Sequence, residues 1–385
     1  MRNGKFSRLW DMVTQQRLEI AYDRIVFPAP TAGPRRLLNY LLSQVEGRLR
    51  LLGVHSYPFG LQLEPTVECP LDCPLCPRHR VIQRGGPAHM PWDRFARLMD
   101  EMGPYLTALA LWQWGEPLLH PRIVDMARLA HRHGIITFLS TNGQVDPEAA
   151  DLGGLMRSGL DMLIVSLDGI RQEAYASFRA GGEVSKVLRF IREAARARPP
   201  GRGPLINVRI IATRGNESEI GAVESFAREA GADLFSVKGV SLYTDASPGN
   251  PSLPGDRRWR TYQYRGEAEA AAYRQAPNLC RKPWIWPTLR YDGTLLICEC
   301  DHLHESPLGN VFREGSFRAV WRGAAARWQR ARFGRDGRID LEFCGRCRYK
   351  INDAIREVMP LRAAGLGARL APQGEPLGAD ARPVL

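Results

Sequence analysis

Three cysteines stand within the stretch VECPLDCPLCPRHR, and the next cysteine along the chain is Cys280. They are Cys69, Cys73 and Cys76, with the spacing C-x3-C-x2-C. Thiolates are soft ligands that select zinc, copper(I) or iron-sulfur clusters. Because a tetrahedral ion or a cubane cluster has four positions to fill, this loop leaves one position for a ligand that is not a nearby cysteine.

The nearest residue that could fill the fourth position is His79, three residues after Cys76. With His79 the loop would form a closed structural zinc site or a closed cluster. Without it, the fourth position is open to a ligand from outside the chain. The loop taken by itself leaves both interpretations open.

A second group of cysteines lies in the C-terminal part of the chain. Cys280 and Cys298 flank the segment RYDG, a turn signal between two β-like runs, and Cys344 and Cys347 form a C-x2-C pair. A hairpin followed by such a pair predicts a site with four thiol ligands, and zinc is the usual metal of such a site. Cys300 shares a face with Cys298 if the strand continues, and we predict a spare thiol there, with an alternative ligand as the other interpretation.

Residues 60–242 contain six β-rich runs that alternate with amphipathic segments of helical spacing. This alternation predicts an α/β fold with parallel strands joined by right-handed crossovers. Six units fit a partial (β/α)6 TIM-like barrel better than a full eight-stranded one. In β/α barrels the chemistry lies on loops after the carboxyl ends of strands, which is where Cys69 follows the first run.

The remaining segments differ from the barrel in composition. Residues 243–277 are rich in proline, glycine and charge, and residues 362–385 have little apolar surface to bury. We therefore predict five segments, which are an N-terminal helical extension (1–59), the barrel (60–242), a linker (243–277), a small hairpin and helix domain (278–361) and a disordered tail (362–385).

Residues 35–52 form a predicted basic amphipathic helix, with a broad apolar face and arginines around it. We favour a helix that caps the barrel. Peripheral contact with a membrane surface is the alternative, and a protein-binding role is also open.

The composition of the 385-residue chain is that of an ordinary globular protein, with 44% hydrophobic and 24% charged residues. No apolar run is long enough for a membrane span, and the N-terminus has no signal-peptide pattern, so we predict a cytoplasmic protein. The formal charge of +12 could attract nucleic acid or anionic lipid. The arginines are spread along the chain rather than clustered in blocks. We therefore attribute the charge to composition bias and expect no nucleic-acid partner.

Together with motifs at the ends of the next strands, the cysteine loop resembles that of the radical S-adenosylmethionine (radical SAM) enzymes. The motifs are WGEP after the second strand, LSTNG after the third, VSLDG after the fourth, and the later YASFR. In that family three cysteines hold a 4Fe-4S cluster, and S-adenosylmethionine chelates the fourth iron. Leu75 stands where the family usually has an aromatic residue.

The resemblance also implies which residues contact S-adenosylmethionine. A glycine before the glutamate lets the backbone approach the ligand, and an arginine suits the ligand's carboxylate. The implied contacts are Gly115, Glu116, Pro117, Ser140, Thr141, Asn142, Ser166, Asp168 and Arg179.

Attached to such a barrel, the C-terminal cysteines resemble a SPASM or twitch domain that carries one auxiliary 4Fe-4S cluster. The implied ligands are Cys280, Cys298, Cys344 and Cys347. The implied activity is an oxidoreductase in which a 5'-deoxyadenosyl radical abstracts hydrogen from the substrate, with the auxiliary cluster as electron acceptor. Flavodoxin or ferredoxin would supply the reducing electron.

The motifs do not identify the substrate. We favour a small molecule, such as a sugar or aminocyclitol, or a lipid, because residues 1–60 lack the pattern of a peptide-recognition domain. A peptide or protein substrate is the alternative. A competing hypothesis from another class is a non-enzymatic zinc protein that binds nucleic acid, which would hold zinc, contain no iron and bind in a salt-dependent manner.

Overall fold

A β-hairpin precedes the barrel, followed by the predicted helix. Strand β1 (Arg17–Tyr22) pairs antiparallel with β2 (Ile25–Pro30), and helix α1 spans Pro34–Leu49. The two residues of the turn, Asp23 and Arg24, both have left-handed backbone angles, with φ of 49° and 65°. This combination is typical of the tight turns that join antiparallel strands. The sequence predicted only helix for this extension, and the hairpin is therefore an addition.

The computed structural model describes residues 17–30, 33–82, 88–201, 203–242, 250–261, 280–333, 341–345, 347, 355–362 and 369–370. Most of the predicted linker and tail lies outside these ranges. The described part of the linker forms a short 3-10 turn, Arg257–Trp259, and buries Trp259.

The six predicted strands of the barrel are confirmed, and neighbouring strands pair in parallel. Their residues are almost all buried, as expected for strands covered on both faces. The strands are β3 (Gly60–Leu63), β4 (Ala108–Leu111), β5 (Ile136–Thr141), β6 (Met162–Ser166), β7 (Leu205–Ala212) and β8 (Leu234–Gly239).

Helices between these strands cover the outside of the barrel. The longer ones bury one apolar stripe, as in the segment VSKVLRFIREAARA, whose valines, phenylalanine and isoleucine are buried at helical spacing. The helices are α2 (Arg78–Val81), α3 (Trp92–Met102), α4 (Ile123–Arg132), α5 (Leu152–Met156), α6 (Gln172–Phe178), α7 (Val184–Ala197) and α8 (Ile220–Glu229).

The C-terminal unit contains the predicted hairpin and short helices. Its helices are α9 (Lys282–Ile285), α10 (Val311–Glu314), α11 (Phe317–Trp321), α12 (Ala324–Ala331) and α13 (Glu342–Gly345). Its strands are β9 (Thr288–Leu289), β10 (Thr294–Leu296), β11 (Pro307–Asn310) and β12 (Ile355–Pro360). A last strand, β13 (Arg369–Leu370), pairs with β2. These two residues belong to the segment that we predicted to be disordered, and for them that prediction is wrong.

The C-terminal unit and the barrel share one sheet of ten strands. Strand β9 pairs in parallel with β3 at one side, and β12 pairs antiparallel with β8 at the other. The ion pair between Arg290 Nε and Glu64 Oε2, 3.1 Å long, joins the unit to the end of β3, and both side chains are buried. The C-terminal cysteines are thereby held beside the carboxyl ends of the barrel strands.

Candidate active site

The carboxyl ends of strands β3 to β8 surround one cavity, because parallel strands end at the same edge of a sheet. Most of the predicted site residues meet there. The cavity is lined by Cys69, Cys73, Cys76, Gly115, Glu116, Ser140, Thr141, Asn142, Ser166 and Arg179. Among the predicted contacts, Pro117 and Asp168 do not line the cavity, because Pro117 starts a buried 3-10 turn and Asp168 is fully buried.

The three-cysteine loop is folded back on itself where it lines the cavity. The N–H of Cys76 donates to the carbonyl of Cys73 at 3.0 Å, and the N–H of Asp72 donates to the carbonyl of Ala180 at 3.0 Å. The second bond ties the loop to the segment that follows α6. All three cysteines are half-buried.

The chemistry of these thiols suits a bound metal centre. Burial raises the pKa of Cys69 to about 11 and also raises the pKa of Cys76. The protein alone therefore favours protonated thiols there. A metal that binds a thiol deprotonates it, so a cationic centre in this loop would supply the missing stabilisation.

His79 does not complete the three-cysteine loop. It lies on α2, half exposed, with Nε2 at 3.3 Å from Oδ1 of Asp72, and it does not line the cavity. This placement favours the interpretation in which the fourth position belongs to a ligand from outside the chain.

Gly115 lies where two loops are closely packed. The N–H of the following residue, Glu116, donates to the carbonyl of Glu68 at 2.7 Å. A Cβ atom on Gly115 would lie only 2.0 Å from the carbonyl oxygen of Thr66. Only glycine allows this approach of the second loop to the cysteine loop.

We therefore expect Gly115→Ala to destabilise the fold by about 1–3 kcal/mol, since backbone must move to admit the methyl group. The free energy of unfolding measured in urea tests this. Gly221→Ala is the matched control, because a Cβ there meets nothing within 4 Å, and alanine in α8 should gain about 0.5–1 kcal/mol. Equal stability of the two variants would contradict the close approach.

The side chain of Glu116 has a structural role. Its Oε1 accepts from the N–H of Leu118 at 3.1 Å, and its Oε2 accepts from the N–H of Asn142 at 2.7 Å. Burial raises the pKa of Glu116 to about 7, although these two hydrogen bonds oppose the shift. The carboxylate thus joins the ends of β4 and β5.

Asn142 connects the end of β5 to the cysteine loop. Its Nδ2 lies 3.5 Å from Sγ of Cys69, and its Oδ1 accepts from the N–H of Gln144 at 2.9 Å. An amide donor beside a metal-binding sulfur is the kind of outer-shell contact that orients a ligand.

Arg179 is held against Asp168. Nε of Arg179 donates to Oδ2 of Asp168, and the N–H of Ile211 donates to Oδ1 of the same carboxylate at 2.5 Å. Burial lowers the pKa of Arg179, but the Asp168 carboxylate, together with Cys73 and Tyr175, outweighs burial and raises the pKa above its ordinary value. Asp168 thus holds Arg179 in place, and its predicted contact with the cofactor stays a prediction.

One side of the cavity is apolar, and sequence reasoning did not identify it. Leu75, Phe178 and Ile211 pack against a small cluster of buried residues that the linker completes. Leu75 thus packs against this cluster although it is not aromatic. The members of the buried cluster are Val240, Leu242 and Leu253.

The N-terminal hairpin also contributes to the wall of the cavity. The ring of Tyr22 stacks on Phe138 with centroids 4.4 Å apart, and Oδ2 of Asp23 lies 2.6 Å from Nη2 of Arg209. Tyr22, Asp23 and Arg209 all line the cavity. The hairpin tip therefore enters the barrel and narrows its interior.

Five cysteines, rather than four, lie together in the C-terminal unit. Cys298, Cys300, Cys344 and Cys347 are buried, and Cys280 is half-buried. Sγ of Cys300 lies 3.4 Å from Sγ of Cys347. The contact with Cys300, together with burial, raises the pKa of both Cys298 and Cys347.

Within the described part of the chain, no three histidine, cysteine or acidic side chains converge closely enough to hold one metal ion. A cubane cluster does not require that convergence, because each of its thiolate ligands binds a different iron. The two groups of thiols therefore fit clusters in the number and type of their ligands.

Comparison with protein families matches both halves of this arrangement. The radical SAM superfamily model matches residues 63–220, which contain the cysteine loop and the strand ends described above. The chain belongs to the radical SAM superfamily. A second model, the SPASM iron-sulfur cluster-binding domain, matches residues 280–348, and so the chain is a radical SAM enzyme with a C-terminal SPASM domain.

Curated relatives include the PqqA peptide cyclase of Ruegeria pomeroyi, which is 26% identical over 70% of this chain and 75% of its own length. The tungsten-containing aldehyde ferredoxin oxidoreductase cofactor-modifying protein of Pyrococcus furiosus is 25% identical over 47% of this chain. The chain spans about half the length of that relative.

Solved structures share the fold. SuiB of Streptococcus suis bound to S-adenosylmethionine has a TM-score of 0.54 at 14% identity, covering 72% of this chain and 68% of SuiB. The protein anSMEcpe with bound AdoMet and a peptide has a TM-score of 0.50 at 16% identity, covering 74% of this chain and 92% of its own.

The radical SAM and SPASM domains imply 4Fe-4S clusters, and the structural neighbours bind AdoMet. The hypothesis of a non-enzymatic zinc protein is therefore set aside. Within the described residues no helix combines the length and the apolar character needed to cross a bilayer.

Proposed function

We propose that this radical SAM enzyme modifies a peptide or protein substrate by hydrogen abstraction inside the barrel cavity. The proposal replaces the small-molecule or lipid substrate that the sequence favoured. Its support is that curated relatives are named as peptide cyclases and that structures of similar fold were solved with bound peptides.

The observation that carries the reaction class is that one cavity borders the three-cysteine loop and also residues next to the C-terminal cysteines. The three-cysteine loop lines one part of it, and Glu299 and His302 line another. Glu299 stands between Cys298 and Cys300 in the chain and pairs with Nζ of Lys282. A substrate held in this cavity would lie between the two iron-sulfur sites.

Different proposed residues would bind chemically different parts of the cofactors. Cys69, Cys73 and Cys76 would hold the first 4Fe-4S cluster, which would supply the electron that cleaves S-adenosylmethionine into methionine and a 5'-deoxyadenosyl radical. The backbone at Gly115 and the fork of Arg179 would hold the amino and carboxylate groups.

Other parts of the cavity would hold the nucleoside. Hydroxyls of Ser140, Thr141 and Ser166 offer partners for the ribose, and the apolar side at Leu75 and Phe178 excludes water around the base. Excluding water from the cavity matters because the radical must react with the substrate before it reacts with solvent.

The second cluster is proposed to accept the electron that remains on the substrate after abstraction. Cys280, Cys298, Cys344 and Cys347 are the proposed ligands, and the contact between Cys300 and Cys347 makes Cys300 a neighbour that tunes one ligand. Flavodoxin or ferredoxin is the proposed donor to the first cluster.

Deuterium transfer tests the substrate class. Anaerobically reconstituted enzyme would receive S-adenosylmethionine, dithionite and a peptide digest from cells grown in heavy water. Deuterated sugars and deuterated phospholipids would be supplied in parallel. We expect deuterium in 5'-deoxyadenosine only with the peptides; deuterium from the sugars or lipids alone would refute the proposal.

We expect Arg179→Lys to raise the KM for S-adenosylmethionine by about tenfold or more, because one ammonium cannot serve Asp168 and a ligand carboxylate as the guanidinium fork does. Cluster content should not change. Arg171→Lys is the matched control at the other end of α6, since Arg171 is mostly exposed and pairs with Glu219. Equal KM values for the two variants would remove Arg179 from the proposed site.

A further inference from the structure

Helix α1 packs on the protein with its polar face inward, the reverse of an ordinary surface helix. The buried side chains of this helix are Arg36, Asn39, Tyr40, Ser43, Gln44 and Glu46. Its leucines and valine are half-buried or exposed. The capping role favoured from the sequence is thus performed by the polar face.

Buried hydrogen bonds fix this orientation. The guanidinium of Arg36, 1% exposed, donates to the carbonyl oxygens of Gly103 at 2.8 Å, His133 at 2.5 Å and Gly134 at 2.6 Å. The Glu46 carboxylate accepts from the N–H of His55 at 2.6 Å. Rotating the helix would leave the buried charges of Arg36 and Glu46 without their hydrogen-bond partners, which is strongly unfavourable.

The outward face is an apolar stripe. Leu38, Val45, Leu49 and Leu52 are 67%, 47%, 55% and 47% exposed, and half-buried Leu42 lies between the first two. The spacing of four and three residues places Leu38, Leu42, Val45 and Leu49 along one side of the helix, and Leu52 follows the end of the helix. Exposed large apolar residues that line up in this way mark a binding surface rather than scattered surface residues.

Positive charge borders the stripe. Arg35 and Arg48 are exposed, whereas the one acidic residue in the sequence of α1, Glu46, is buried. Arg50 donates to the carbonyl of Phe333 at 3.2 Å. That contact joins the end of α1 to the end of α12.

Helix α12 carries an exposed aromatic residue. Its Trp328 is 52% exposed, and the guanidinium of Arg332 lies 4.2 Å from the centre of that ring. Tryptophan and arginine are both suited to the boundary between water and lipid, since each has an apolar body and a polar end.

We propose that the stripe of α1 binds the surface of an anionic phospholipid membrane. Leucines would enter the acyl boundary while arginines reach the phosphate groups, as in interfacial amphipathic helices. A bilayer needs no shape complementary to this convex face. A second copy is disfavoured, because a symmetric contact would bring arginines against arginines.

Vesicle co-sedimentation of the cluster-loaded full chain tests the proposal. We expect binding to vesicles of phosphatidylglycerol and phosphatidylcholine, at least tenfold weaker binding to phosphatidylcholine alone, and release at high salt. Leu38→Glu with Leu49→Glu should reduce binding at least tenfold. These side chains are exposed, so iron content and thermal unfolding should be unchanged.

The control is Arg97→Gln with Arg196→Gln, which changes the net charge by the same amount at exposed positions on α3 and α7. Binding should persist in the control. Equal loss in both double variants would show that net charge alone drives binding and would overturn the proposal. Failure of the unsubstituted protein to bind anionic vesicles would also overturn it, as would a dimer that Leu38→Glu with Leu49→Glu dissociates without any vesicle binding.

Discussion

Replacing Cys69, Cys73 and Cys76 together by alanine is expected to abolish the cleavage of S-adenosylmethionine and to remove about half of the iron. Reconstituted protein should hold about eight iron atoms in two cubane clusters, of which the variant keeps about four. The physical reason is that these three half-buried thiols are the only cysteines among the residues that line the cavity, so the cluster that cleaves the cofactor there depends on them. Iron analysis and the yield of 5'-deoxyadenosine with dithionite measure both effects.

The reciprocal control is the loss of cysteines from the C-terminal unit, which should remove a similar amount of iron and leave cleavage intact. Folding must be checked in both variants, because metal binding and folding are coupled. Retention of all the iron by the triple variant, or zinc in place of iron, would disprove the assignment of this loop. S-adenosylhomocysteine as the main product would indicate methyl transfer and disprove the oxidoreductase reaction.

The sequence predicted the barrel well because its signals are local. Each strand is a short apolar run bounded by turn residues, and continuous burial confirms what such runs indicate. The cysteine spacing and the strand-end motifs are also local. Parallel pairing then brings their loops to one edge, so that the residues meet although they are far apart in the chain.

The N-terminal hairpin could not be predicted in this way. Its turn is Asp23-Arg24, without the Asn-Gly or Asp-Gly pair that signals such a turn. Its end is held in place by tertiary contacts, in which Tyr22 and Asp23 meet Phe138 and Arg209. Consequently, the cavity wall that it forms was absent from the predicted site.

Periodicity predicted helix α1 and its apolar face but not the direction of that face. An amphipathic pattern is normally assigned with its apolar side inward. Here Arg36 and Glu46 find buried partners on loops that are distant in sequence, and the helix turns its leucines outward. Which face is buried depends on those partners, and a pattern along one helix does not contain them.

Cys300 shows the same limit at the level of a single side chain. The sequence predicted a spare thiol at Cys300, with an alternative ligand as the other interpretation, while the structure brings Cys300 to 3.4 Å from Cys347 in a group of four buried cysteines and one half-buried cysteine. The short distance between the two sulfur atoms results from the packing of the hairpin against α13. The spacing of cysteines in the sequence does not specify that packing. Its role in ligation stays a prediction.

Replacing Cys344 and Cys347 together by alanine is expected to separate radical formation from oxidation of the substrate. Cleavage of S-adenosylmethionine should remain largely intact, because it needs only the cluster in the barrel loop. Conversion of the peptide to its oxidised product should fall to near nothing, since the proposed electron acceptor is gone. Deuterium transfer into 5'-deoxyadenosine should persist, because hydrogen abstraction precedes that electron transfer.

Cys300 requires its own control, because it lies beside Cys347 and could replace a lost ligand. The double variant should therefore be repeated with Cys300→Ser, and Cys300→Ser alone is the matched control. If Cys300 only tunes a ligand, the single variant keeps all its iron and still oxidises the peptide, whereas loss of about half the iron would make it a ligand. A folded variant that lacks Cys344, Cys347 and Cys300, has lost about half the iron, and still oxidises the peptide fully would show that the C-terminal unit serves only to cover the barrel.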